Sequence, residues 1–174
     1  MSKASPVANR KTRSAIQQKP SLSKTAGETF DLIGTTTRYR RTERLFTEGE
    51  PAKYLYRLES GCIKTYNLLK DDRRHICAFY LPGDCVGLEA QKTFDCSADA
   101  TAPSVVRVID KKTLMAHANA DVGLLKYLLD ATALELRRTR DHKALLLKSA
   151  QNRVVDFLLE TAGRGLTKAA LSCR

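Results

Sequence analysis

Between residues 38 and 89 the chain is broken at short, regular intervals by turn residues: Glu48-Gly49-Glu50-Pro51, Ser60-Gly61, Lys70-Asp71-Asp72 and Pro82-Gly83-Asp84. Glycine admits positive φ at no steric cost and proline fixes φ near about −65°, so each break is a place where an extended segment ends. The runs between them, Leu45-Phe46 and residues 54–58, 63–69 and 75–81, are rich in aromatic and β-branched side chains, which suit a pleated, half-buried surface. Turns at that spacing predict an all-β roll or barrel. Residues 28–37 read as a short helix or turn leading in. Past Glu89, residues 90–94 are predicted to be a helical turn, 97–102 and 105–110 two more strands around Pro103-Ser104, and 111–118 a short helix. Asn119-Ala120-Asp121 then offers an N-cap.

The segment beyond the cap is different in kind. Residues 121–147 contain no Gly or Pro after Gly123. Val122, Leu125, Leu129, Thr132, Leu136, Thr139, Lys143 and Leu146 recur at alternating spacings of three and four, the seam of a heptad repeat. Leu124, Leu128, Leu134, Leu145 and Leu147 widen the apolar surface, so one flank of the helix can lie on the chain's own core while the seam faces a partner. At about 1.5 Å per residue the helix is roughly 40 Å long, more than an internal brace requires. A core helix of a monomer is the competing reading; Thr132, Thr139 and Lys143 suit a partly wet interface better, so the expectation is a dimerisation helix. The helix should break near Lys148-Ser149. Residues 150–162 come next as a second amphipathic segment, with Val154, Phe157, Leu158 and Thr161 on one face and Gly163 ending it.

With 174 residues the chain supports one domain and an appendage. Its formal charge of +11 is uneven: residues 1–27 hold Lys3, Arg10, Lys11, Arg13, Lys19 and Lys24 and no acid. That segment has no hydrophobic period and is expected to be a disordered basic arm. Five cysteines at irregular spacing, none in a C-x-x-C pair, predict reduced thiols and no metal site. No apolar run reaches the roughly 18 residues that would span a bilayer, and the start lacks the apolar stretch of a secretion signal. A cytoplasmic protein without membrane contact is expected, an organelle transit peptide being the alternative for the acid-free start.

Four segments in register carry a resemblance: Phe46-x-Glu48-Gly49-Glu50; Tyr56-x-Leu58-x-Ser60-Gly61; Leu81-Pro82-Gly83-Asp84-x-x-Gly87-Leu88-Glu89; and Leu145-Leu146-Leu147-x-Ser149-x-x-Asn152-Arg153-Val154-x-x-Phe157-Leu158. Together they resemble the Crp/Fnr family of bacterial transcription regulators, and within it the FixK-like branch, over residues 38–162. The resemblance implies a mainly β fold: a cyclic-nucleotide-binding-type double-stranded β-roll, a long dimerisation helix, and then a winged helix-turn-helix that reads DNA. Only twelve residues come after Ala162, too few for two helices and a turn. The expected layout is a basic arm at 1–27, a sensor roll at 28–120, a dimerisation helix at 121–148, and the start of a truncated DNA-binding domain at 149–174.

The resemblance also locates a ligand loop, at Gly83, Asp84, Gly87, Leu88, Glu89, Cys96 and Ser97. Cyclic-nucleotide binders of this family carry a Glu for the ribose after the glycine, and an Arg-Ser pair for the cyclic phosphate. Here those positions read Leu88 and Cys96-Ser97. Without the arginine the phosphate loses a bidentate, charge-assisted anchor, so the loop is expected to be degenerate, with Ser97 and nearby N–H groups left for a weaker anion. The cysteines that hold an iron–sulfur cluster in Fnr-type sensors lie near the N-terminus, and none occurs here before Cys62. No cofactor is expected. Neither His75 nor His117 sits in a haem-ligand pattern. Cys62, Cys77 and Cys85 read as small buried hydrophobes, with Cys96 left open. Arg137, Arg138, Arg140, Lys143, Lys148 and Arg153 form a basic run, read first as a solvated face and second as a phosphate-backbone contact. With no nucleophile, base and oxyanion donor in any recognisable pattern, an enzyme is not expected.

The leading expectation is therefore a regulatory module that forms homodimers, or heterodimers with full-length family members, and does not read a promoter by itself. DNA contact is expected only through the family resemblance or non-specifically. A stand-alone cyclic-nucleotide or metabolite sensor, or a non-specific nucleic-acid binder, are the alternatives.

Overall fold

The structure, a computed structural model, describes residues 24–89 and 91–146, with side chains from 28 to 140. In chain order the elements are α1 (Lys24–Ile33), β1 (Thr35–Tyr39), β2 (Arg44–Phe46), β3 (Tyr54–Ser60), β4 (Ile63–Leu68), β5 (Arg74–Tyr80), β6 (Cys85–Val86), β7 (Ser97–Ala100), β8 (Ser104–Asp110), α2 (Lys111–Ala118) and α3 (Val122–Leu146). The strands form two antiparallel four-stranded sheets, ordered β1-β8-β3-β6 and β2-β7-β4-β5. Apart from the β4–β5 hairpin, chain neighbours are split between the sheets, which makes the β-roll that the turn spacing predicts.

The two sheets close on an apolar layer. Phe46, Tyr56, Leu58, Ile63, Tyr80, Val86, Phe94, Ala98 and Val106 form this core, with Phe46 and Phe94 stacked at 3.8 Å between centroids. A second cluster, on the other face of the first sheet, joins Leu55 and Ile109 to Phe30, Leu114, Ala118, Leu124 and Tyr127 of the three helices. Alternation along β3 explains the division: Tyr56 and Leu58 turn toward the opposite sheet while Leu55 turns toward the helices. Burial on both faces is why residues 54–58 look almost continuously apolar.

The turns behave as their composition requires. Gly49, Gly61 and Gly83 all have φ between 85° and 93°, and Asp72, in the Lys70-Asp71-Asp72 turn, takes φ 59°. Asp110 caps α2 by accepting from Thr113 N, and Asp121 caps α3 by accepting from Gly123 N and Leu124 N at 2.8 and 3.0 Å.

Three expectations need correction. Helix α1 starts at Lys24, inside the stretch read as disordered. Phe30 explains it: fully buried, edge-on to the Tyr127 ring at 5.5 Å, it fixes a helix that local sequence alone leaves without a periodic signal. Strand β1 begins at Thr35, ahead of the expected onset of strand character, because its β-branched threonines pair in register with β8 from Thr35↔Val108 to Tyr39↔Ser104. Residues 91–94 are not a helical turn. Thr93 bridges Pro51, Ala52 N donates to Lys92 O, and Phe94 exchanges backbone bonds with Gly49 and Glu50, so the 49–52 turn claims the backbone groups a helix would use. Residues 1–23 of the arm predicted at 1–27, the amphipathic segment at 150–162 and the start of a DNA-binding domain at 149–174 lie outside the described residues. No helix among the described residues is long and apolar enough to cross a membrane.

Candidate functional site

Two sets of predicted residues can be located: the loop after the Pro-Gly-Asp turn, and the seam of α3. The loop begins with a turn held by its own acid. Leu81 N donates to Asp84 Oδ2 at 2.8 Å, and Gly83 N donates to Leu58 O at 2.7 Å. At Gly87, φ is +88° and a Cβ would press on Tyr54 O and the Phe94 ring, so only glycine lets the chain pass this close to β3. Leu88 packs on the helix-side core rather than facing a ligand.

From Glu89 the loop turns acidic. Lys111 Nζ donates to the Glu89 backbone carbonyl at 2.9 Å, leaving the side-chain Oε2 buried without a hydrogen-bond partner. Burial raises the Glu89 carboxyl above its ordinary range, and Asp95 and Glu135 add to the rise. Glu89, Asp95 and Cys96 each place one ligand-capable atom within 4.8 Å of the others. Cys96, unassigned from sequence, is 8% exposed, and burial followed by the Glu89 and Asp95 charges pushes its thiol up. Ser97 is already engaged: its Oγ accepts from Glu48 N at 3.0 Å. The positions that would meet a cyclic phosphate thus present a thiol beside carboxylates and a serine that accepts from the turn after β2.

The other cysteines differ among themselves. Cys62 and Cys85 are buried, as a small hydrophobe would be. Cys77 is only half-buried, since its Sγ donates to Asn67 Oδ1 at 2.8 Å at the sheet edge. Burial pushes the Cys85 thiol up to about 11, which favours the thiol over the reactive thiolate.

Helix α3 shows two faces. Leu124, Tyr127, Ala131 and Leu134 are buried against the chain's own core. The seam is not: Val122 is 81% exposed, Leu125 50%, Leu129 68% and Leu136 52%. Thr132 and Thr139 are exposed as well, each hydroxyl donating to the carbonyl four residues back, at 2.8 and 3.1 Å. The side chains of Lys143 and Leu146 lie outside those described.

The basic run also divides. Arg137 and Arg140 face solvent, but Arg138 does not belong to a solvated face. Its Nη2 donates to Asp84 Oδ1 at 2.9 Å, with side chains 10% and 1% exposed. Tyr80 donates to Glu135 Oε1 at 2.7 Å beside it, the Arg138 guanidinium lies 5.7 Å from the Tyr80 ring centroid, and Tyr127 Oη donates to Gly83 O at 3.4 Å. These contacts, which the sequence reading did not foresee, fasten α3 to the turn that opens the loop. No spacing rule links positions 84 and 138; at most, an arginine close after the seam leucine Leu136 could have been tested for a partner. Elsewhere Arg44 and Arg74 both bind the buried Asp99 around the Tyr66 ring, a second cluster without a sequence signature.

Comparison with known proteins agrees with this architecture. The family model described as cyclic nucleotide-binding domain matches residues 36–121. The nitrogen fixation regulation protein FixK of Azorhizobium caulinodans is 35% identical over 140 residues, covering 79% of this chain and 56% of its own length. The transcriptional activatory protein AadR of Rhodopseudomonas palustris is 32% identical over 133 residues, covering 76% and 56%. The chain spans about half the length of these curated relatives. The solved structure of FixK2 from Bradyrhizobium japonicum aligns with a TM-score of 0.71 at 41% identity, over 76% of this chain and 67% of that one. From the roll, the loop and this similarity together, the chain belongs to the Crp/Fnr family of transcription regulators, among its FixK-like members.

Proposed function

We propose that these residues are the sensor and dimerisation module of a FixK-like transcription regulator, acting through a homodimer or a heterodimer with longer family members. The observation that carries the reading is the exposure of Val122, Leu125, Leu129 and Leu136 along one line of α3 while Leu124, Tyr127 and Leu134 on the other face are buried. Single exposed leucines are ordinary, but a heptad-spaced row on a helix fixed by its opposite face has the form of half an interface. Base readout is assigned to none of the described elements. Replacing both Leu129 and Leu136 by Glu is expected to give a folded monomer in sedimentation velocity, where the parent chain sediments as a dimer. An unchanged sedimentation coefficient removes the proposal.

The roll itself is proposed not to respond to cyclic nucleotides. An anion would meet Glu89 and Asp95, and Cys96 stands where the arginine anchor would be. Calorimetry with cyclic AMP and cyclic GMP is expected to give no heat; a micromolar Kd favours a stand-alone sensor instead.

A further inference from the structure

We infer that the hollow lined by Arg38, Arg40 and Arg41 is a binding site for a compact polyphosphate, a ligand that carries two or more linked phosphate groups. The end of β1, the β1–β2 connection, Ser60 at the end of β3 and Pro103 between β7 and β8 enclose it, with a volume of about 950 Å³. Cavities of roughly 300–1,000 Å³ are the size that takes a small molecule. The lining shares no residue with the ligand loop or with the seam of α3.

The three guanidiniums meet there without a counter-charge. Among the described residues no carboxylate forms an ion pair with Arg38, Arg40 or Arg41, whereas Arg44, Arg73, Arg74 and Arg107 of the same roll each pair with one at 2.6 to 3.3 Å. The single acid in the lining, Glu43, is already committed, its Oε2 accepting from Arg40 N at 2.7 Å. Three arginines against one glutamate leave a surplus of two positive charges. Residues 1–27 hold no acid that could offset them. A recess that gathers charge of one sign between low-dielectric walls focuses its field on whatever enters.

The backbone that carries the arginines is set before any ligand arrives. Thr42 N donates to Ala100 O at 2.7 Å and Ala100 N to Glu43 O at 2.8 Å, which ties the connection to β7. Thr42 takes φ 70°, a left-handed conformation that a β-branched residue keeps only where its surroundings impose it. Less ordering is then left for binding to supply. Guanidinium chemistry selects the ligand: each planar fork offers paired N–H donors that match phosphate oxygens, and three forks exceed what one monoanion can engage. A linked di- or triphosphate brings several negative charges in a chain short enough for this recess, whereas the phosphates of a duplex lie on a convex rod and call for a long basic stripe. Ser60, exposed in the same lining, adds a hydroxyl donor, and Tyr39, Pro103 and Val105 give apolar wall for the group that the phosphates carry.

The test is calorimetry on the full chain at about 150 mM salt, with inorganic tripolyphosphate and ATP as probes and cyclic AMP as the monoanion control. Each polyphosphate is expected to bind once per chain, and cyclic AMP to give no heat. Arg40→Gln/Arg41→Gln weakens both roughly tenfold or more, and leaves the circular dichroism spectrum and thermal midpoint as in the parent because both side chains are exposed. Two variants remove the same charge elsewhere: Arg10→Gln/Lys11→Gln in the arm and Arg137→Gln/Arg140→Gln on α3. Both are expected to keep the affinity within about twofold. An equal loss in those variants means diffuse attraction to a basic chain and overturns the site, as does the absence of heat from both polyphosphates. A glutamate octapeptide or a random DNA duplex that binds through Arg40 and Arg41 more tightly than tripolyphosphate overturns the choice of ligand.

Discussion

Asp84 holds the chain in two places with one carboxylate: Oδ2 accepts from Leu81 N in its own turn, and Oδ1 accepts from Arg138 Nη2, 54 residues on, in α3. A β-turn and a helix that share no local sequence are therefore rigidly related. Because α3 carries the exposed seam on its far side, the orientation of that seam relative to the roll depends on this pair.

Cutting the pair from one side is expected to be costly. Arg138→Met leaves Asp84 buried and charged without its cation, and losses of about 3–5 kcal/mol are usual for such a change. Urea unfolding followed by circular dichroism measures it. Asp84→Asn with Arg138→Met removes both charges, and should recover part of the loss.

The two faces of α3 should respond oppositely. Leu124→Ala opens a cavity in the helix-side core, at a cost of about 2–5 kcal/mol. Leu129→Ala, on the exposed row, should change monomer stability by less than about 0.5 kcal/mol. Denaturant midpoints of both variants, read in the Leu136→Glu background, separate folding from association.

Glycine substitutions should distinguish turn conformation from crowding. Gly49 has φ 85° with nothing within 4 Å of an added Cβ, so Gly49→Ala carries only the left-handed backbone cost, about 1–2 kcal/mol. At Gly61, φ 93°, a Cβ would also collide with the Ser104 side chain and the Pro103 carbonyl. Gly61→Ala should therefore lower the thermal midpoint clearly more than Gly49→Ala, as differential scanning fluorimetry can show.

Alkaline pH should weaken the fold in a way that Cys85 accounts for. Burial pushes its thiol up to about 11, against an ordinary value near 9. Above the ordinary value the unfolded chain has lost this proton and the folded chain still holds it, so stability falls between about pH 9 and 11 and then levels. The slope for one proton is about 1.4 kcal/mol per pH unit. Chemical unfolding from pH 8 to 11 should show a shallower decline in Cys85→Ala than in the parent chain.

The positions of the strands were legible because they rest on local chemistry. Ser60-Gly61 and Pro82-Gly83 interrupt extended runs whatever the rest of the chain does, and β3, β4, β5 and β8 lie within a residue or two of where the runs placed them. The seam of α3 was legible for a related reason: a 3–4 spacing declares which residues share a line on a helix. The ligand loop was legible only as a departure from a family pattern, which indicated what Cys96-Ser97 and Leu88 lack rather than what surrounds them.

By itself, then, the sequence determined a turn-punctuated roll, a capped long helix and a row of leucines on one side of it, since those follow from φ preferences and residue periodicity within a few positions. Tertiary structure alone decided that Lys24 begins a helix, that residues 91–94 do not form one, that Arg138 is an internal cation, and that Glu89 meets Asp95 and Cys96. Each of these depends on a partner far along the chain: Phe30 on Tyr127, Phe94 on Gly49 and Glu50, Arg138 on Asp84. Burial and charge pairing act through space, and no local pattern in the residues encodes which distant group will arrive.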